Sequence, residues 1–142
     1  MLLLGACNDG AIYLHSVDVD SAEWTSADTL IFPVHVAPLA KPYSPIERNF
    51  PYCLTLTVRY ERGFPLADVP IRVSLANDIH PVILPLADAD GFPDGEQRGT
   101  LCQKSVEVNN AVFLFPDSGD YQLKIWPDST ASHILSITAT LE

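Results

Sequence analysis

Cys7 closes the string Leu4-Gly5-Ala6-Cys7, immediately ahead of the polar Asn8-Asp9-Gly10. An apolar residue, two small residues and a cysteine have the form of a bacterial lipobox. A small-residue cleavage point behind an apolar stretch marks an exported chain. The thiol would carry a diacylglycerol, and cleavage before it would leave a lipidated amine as the mature N-terminus. Only Met1-Leu2-Leu3-Leu4 precede the small residues, where a leader has a basic region and roughly 7–15 apolar residues. The expectation is therefore that residues 1–7 are the residual end of a lipoprotein leader. A single domain would then run over residues 8–142.

Beyond the lipobox, chemistry is sparse. The loop Asp88-Ala89-Asp90-Gly91-Phe92-Pro93-Asp94-Gly95-Glu96 spaces oxygen ligands around glycine, which is what calcium takes. Asp88, Asp90 and Asp94 are the candidates, although the spacing is not that of a helix-flanked calcium loop, and Asp-Gly pairs are ordinary turn chemistry. His15, His35, His80 and His133 are scattered, whereas a zinc site needs three or four converging ligands. No nucleophile elbow and no phosphate-cradling glycine loop is present. The expectation is a chain with no catalytic residues, no enzymatic activity and no cofactor. Trp24 and Trp126 could stack on a sugar or a partner, but they suit core or sheet-edge packing better. With Cys7 assigned to lipid, Cys53 and Cys102 remain. They would either bridge, as an exported compartment permits, or sit as two buried thiols.

These residues need a scaffold, and composition narrows it. The chain has 142 residues, a formal net charge of -10 and 12 prolines. That is one domain of ordinary size, able to bury a core without staples. A chain this acidic is repelled by a phosphate backbone, so nucleic acid is not an expected partner. No apolar run is long enough to span a bilayer as a helix.

Hydrophobic residues alternate along short runs punctuated by Pro, Gly, Asn and Asp, the pattern of an all-β protein. Runs are expected at 12–17, 29–36, 52–60, 69–75, 82–86, 101–108, 112–115, 121–126 and 133–141. Pro33 marks its run as an edge or a bulge. Asn109-Asn110 and residues 116–120 read as turns. Inward positions should include Leu54, Leu56, Val58, Ile71, Val73, Leu75, Tyr121, Leu123, Ile125, Leu135, Ile137, Ala139 and Leu141. Together these imply a two-layer antiparallel β-sandwich, immunoglobulin-like or jelly-roll-like. The proline-rich connection over 37–51 places Tyr43, Ile46 and Phe50 among prolines. They are the candidate partner-binding residues, with at least one expected to pack over the sandwich.

Trp24-x-x-x-Asp28-x-Leu30-x-Phe32, Tyr52-x-Leu54-x-Leu56-x-Val58-Arg59-Tyr60 and Phe64-Pro65 before Val69-x-Ile71 occur in that order. Leu86-x-Asp88-x-x-Gly91 with Gly99 and Phe115-x-x-x-Gly119-x-Tyr121-x-x-x-Ile125 follow. With the lipobox, this series resembles the GldH family of Bacteroidetes gliding-motility lipoproteins, with an abbreviated segment at Trp126–Ser132. The resemblance implies a cell-envelope lipoprotein, outer-membrane-anchored and facing the periplasm. Its partners would be envelope proteins of a motility or secretion assembly, in a scaffold or accessory role. The alternative expectation is a sandwich that binds carbohydrate or calcium for an envelope uptake system.

Overall fold

The computed structural model describes residues 13–19, 23–36, 46, 51–62, 67–75 and 78–142, with backbone alone at 109–112. The strands are β1 (Tyr13–Asp18), β2 (Glu23–Trp24), β3 (Leu30–Val36), β4 (Tyr52–Glu61), β5 (Val69–Leu75) and β6 (Asp78–Leu84). After them come β7 (Glu96–Arg98), β8 (Leu101–Phe113), β9 (Gly119–Pro127), β10 (Ala131–Ser132) and β11 (Ile134–Leu141). No helix occurs among the described residues.

The strands form a five-stranded sheet, β1-β11-β4-β8-β7, a four-stranded sheet, β3-β9-β5-β6, and a small β10-β2 pair. Every pairing is antiparallel. The pairings nest about the β5–β6 hairpin. β4 pairs with β8, β3 with β9 and β1 with β11, and successive shells go to alternate sheets. That nesting is a jelly roll, which settles the choice against an immunoglobulin-like order.

Alternation builds the core. In β3, Leu30, Phe32, Val34 and Val36 are buried while Ile31, Pro33 and His35 are exposed. β4 and β5 repeat the pattern through Leu54, Leu56, Val58, Ile71, Val73 and Leu75. One cluster joins both sheets, and each fully buried Leu, Ile or Val contributes roughly 1.5–3 kcal/mol. Trp24 closes one end, fully buried, with its indole Nε1 donating to the Asp28 carbonyl at 2.8 Å. The same accounting leaves no buried side-chain N or O without a hydrogen-bond partner among the described residues.

Several local expectations fail for identifiable reasons. Asn109-Asn110 is no turn, because β8 continues through it to Phe113. The pairs Cys53↔Val112 and Thr55↔Glu107 enclose one residue on β4 and 108–111 on β8, so the asparagines ride a bulge. Leu135 yields its inward place to Ile134. His133 has φ of 70°, and the register slips between Ile134 and Ser136. Tyr121 is only half-buried against the core. Cys53 is disulfide-bonded, with its partner sulfur outside the described residues. Cys102 is a free, buried thiol. The two therefore do not bridge each other, and burial pushes the Cys102 thiol up in pKa against a smaller lowering by Arg62.

Both edges of the four-stranded sheet carry a proline in mid-strand, Pro33 on β3 and Pro81 on β6. Proline offers no N–H to a further strand, so both edges are blunted. The β1 edge is tied across the sandwich, where the Tyr13 hydroxyl donates to the Pro33 carbonyl at 2.6 Å. Burial holds that phenol up at about 12.

Candidate functional site

The strand registers define two outer faces of opposite character. On the five-stranded sheet, Ser16, Thr138, Thr57 and Ser105 stand in one row across β1, β11, β4 and β8. Their hydroxyls pair, Ser16 with Thr138 and Thr57 with Ser105. Thr140 and Thr55 form the neighbouring row. On the four-stranded sheet the corresponding row is Ile31, Lys124, Ser74 and Ile79. Beside it lie Trp126, Arg72 and Pro81, and then Pro70 and Ile83. Ile31, Ile79 and Ile83 are 45%, 56% and 62% exposed. Arg72 Nε meets Asp128 Oδ1 at 3.1 Å. A cleft of about 380 Å³ opens between Arg72, Ile79 and the half-buried Trp126.

The other feature is the loop-bearing end around Tyr60. This side chain is fully buried, and its hydroxyl donates to the Leu86 carbonyl at 3.2 Å. Burial is the first cause of its raised pKa, with the Cys102 thiol adding to it. Gly95 presses on the same spot. A Cβ there would lie 2.3 Å from the Gln103 carbonyl oxygen and 2.8 Å from the Tyr60 hydroxyl, so only glycine lets the loop lie down on β8. The Glu61 N–H donates to the His133 carbonyl at 2.7 Å, and the Arg62 N–H to Thr100 at 2.7 Å.

Two clefts of about 400 Å³ flank this point. One is lined by Arg59, Glu96, Arg98, Leu101, Cys102 and Gln103. The other includes Tyr60, Asp68, Ser129, Thr130, Ser132 and His133. His133 is the non-glycine residue at positive φ among those described. Histidine is one of the few side chains that populate this region, and such outliers collect at functional sites. Its Nδ1 lies 3.9 Å from Glu61 Oε1.

The acidic loop does not assemble a cation site. Asp88 Oδ1 accepts the Asp90 and Phe92 N–H groups at 2.8 and 3.0 Å, an Asx turn. Asp94 Oδ2 is taken by Lys104 Nζ at 3.2 Å. No group of three or more His, Cys, Asp or Glu side chains suited to a metal exists among the described residues. Of the calcium candidates Asp88, Asp90 and Asp94, the Asp88 carboxylate holds a turn to which Asp90 gives its N–H, and Asp94 pairs with Lys104. Two of the three carboxylates, Asp88 and Asp94, are spent on backbone N–H groups and a lysine.

Of the partner-binding candidates, Ile46 is 3% exposed and belongs to the core. Its buried side chain offers nothing to a partner. Tyr43 and Phe50 lie outside the described residues, as does Cys7. The exposed isoleucines and the arginine-lined cleft were not among the sequence candidates. Ile79 and Ile83 alternate with buried Val82 and Leu84, so the run reads as uniformly apolar. Arg59 and Arg98 meet only through the β4-β8-β7 register.

No family model matches the chain, and no curated protein matches it. Among solved structures it is similar to a family 35 carbohydrate binding module from Clostridium thermocellum, at 11% identity and a TM-score of 0.37. The match covers 88% of this chain and 97% of that one.

Proposed function

We propose that the chain is a non-enzymatic, protein-binding component of a bacterial cell-envelope assembly. The observation that supports it most is the outer face of the four-stranded sheet. Ile31, Ile79 and Ile83 are exposed there beside Trp126, Pro33 and Pro81. Grouped exposed apolar side chains are the mark of a contact surface. Because both edges carry prolines, a partner would lie on this face rather than add a strand to it. The resemblance to gliding-motility lipoproteins points to a motility or secretion assembly.

The test is co-purification from native envelope with wild type and with an Ile79→Lys/Ile83→Lys variant. The reading expects the variant to fold and lose its partners, and recovery of the same partners would overturn it. A lipid on Cys7 competes with the Cys53 disulfide, because Cys7 is the sequence's remaining cysteine besides Cys53 and the free Cys102. One thiol cannot hold both a thioether-linked lipid and a disulfide. Incorporation of labelled palmitate that is lost in Cys7→Ser supports the lipid. A Cys7–Cys53 bridge on non-reducing peptide mapping removes it.

A second reading, a sandwich that binds a sugar, draws on the His133 cleft with its Ser129, Thr130 and Ser132 hydroxyls. Titration with neutral sugars, followed by the imidazole resonances of His133, separates it from the first.

A further inference from the structure

We infer that the arginine-lined cleft at the β7 edge of the five-stranded sheet binds an acidic, extended peptide segment. The argument begins with charge. The chain is strongly acidic, at -10, yet Arg59 and Arg98 line one cleft of about 400 Å³. Arg62 is near enough that its charge acts on Cys102, which lines the same cleft. None of these three guanidinium groups takes part in the ion pairs found among the described residues. Those pairs use His35, Arg72, Lys104 and His133. The opposing carboxylates are Glu96, on the cleft wall, and Glu61, which stands opposite Leu101 and reaches His133 at 3.9 Å. Arginine without a partner is suited to bidentate capture of a carboxylate.

The second observation selects a polypeptide over any other carboxylate. β7 is the terminal strand of its sheet, pairs with β8 alone, and exposes all three of its residues. No other backbone bond among the described residues uses Glu96–Arg98. The proline-bearing edges of the four-stranded sheet are blunted, but β7 has no proline. An added strand would lie about 4.8 Å away and satisfy these backbone groups, the mode of β-strand addition. Its side chains alternate, so every second one stands on the face that carries Glu96 and Arg98, while Arg59 lies two strands further in, on β4. Gln103, between Arg59 and Glu96 in the register, offers both an amide donor and an acceptor. Glu96 accepts N–H groups from the incoming chain. This site is separate from the isoleucine face and does not depend on it.

The experiment uses the full chain and a fluorescent synthetic peptide alternating glutamate with threonine, read by anisotropy. Its controls are a glutamine-for-glutamate version and a version N-methylated at alternate residues. The inference expects binding by the acidic peptide that weakens with added salt. Arg98→Gln should weaken it roughly tenfold or more, as for loss of a charge-assisted contact, and Arg59→Gln should weaken it less. Both control peptides should fail. Ile79→Lys/Ile83→Lys should bind the peptide like wild type, so failure of the isoleucine face and failure of this site are told apart. No binding up to about 1 mM peptide, or equal binding by the arginine variants, overturns the inference. So does unimpaired binding of the N-methylated peptide, or arginine-dependent binding of an oligouronate in its place.

Discussion

A row of hydroxyls crosses the outside of the five-stranded sheet, from Ser16 to Ser105, and a row with isoleucine at both ends crosses the outside of the four-stranded sheet. The inner faces do not differ in kind. Leu54, Leu56 and Val58 on one side meet Ile71, Val73, Leu123 and Ile125 on the other within one cluster. The contrast teaches where function sits. Threonine suits a pleated strand and keeps its hydroxyl in water or on a neighbour. Isoleucine suits the strand equally well but leaves its exposed surface uncompensated. Strand propensity therefore explains both faces, whereas solvent explains only the first. Leu14, 66% exposed at the β1 edge, is an isolated apolar residue of the ordinary kind.

The comparison can be broken first at its common base. If the inner faces are equivalent, Leu56→Ala and Leu123→Ala, one in each sheet and both fully buried, should each cost roughly 2–5 kcal/mol. Urea unfolding measures this. A loss confined to one sheet would mean that the two layers do not share a core. A smaller effect sharpens the outer contrast. Thr57→Val should shift stability by no more than about 0.5 kcal/mol, as should Ile79→Thr. Only Ile79→Thr should lower binding of a hydrophobic dye, and equal dye binding by both variants would erase the distinction between the faces. The smallest effect concerns the seam between the sheets. Tyr13 is raised to about 12 by burial, so the folded chain keeps a proton that the unfolded chain gives up near pH 10. The resulting stability is complete below pH 10 and is lost as the pH rises through about 12. Tyr13→Phe should flatten the alkaline limb of a pH-stability curve, and an unchanged limb would show that Tyr13 is not the group responsible.

The sandwich was legible because its signal is periodic. Tyr52–Tyr60 alternates without interruption, and it became the central β4. Pro33 was legible as an edge residue because its missing N–H admits few other places in a sheet. Short pieces were not legible. β7 hid inside the acidic loop, since Glu96, Gln97 and Arg98 are exposed on both faces and show no alternation. Asn109-Asn110 has turn chemistry, but the long β4–β8 ladder on either side overrode it. Leu135 failed because the register slips between Ile134 and Ser136, and sequence alternation carries no warning of that. The acidic loop advertised a cation and delivered an Asx turn. The geometry sent the Asp88 carboxylate to backbone N–H groups and the Asp94 carboxylate to Lys104. The arginine cleft was invisible because Arg59 and Arg98 share no local motif and meet only across three strands.

The nested pairing has a consequence in time. Tyr13 is registered against Leu141, so the outermost shell joins the two extremes of the described chain, and every inner shell closes a shorter loop. Topologies dominated by such distant pairings fold slowly, since loop-closure entropy is spent before contacts return it. The β5–β6 hairpin can form early and locally, but β1 has no strand to lie against until β11 has been delivered. A chain threaded through a membrane from its N-terminus would thus hold its first strand open until its last one emerged.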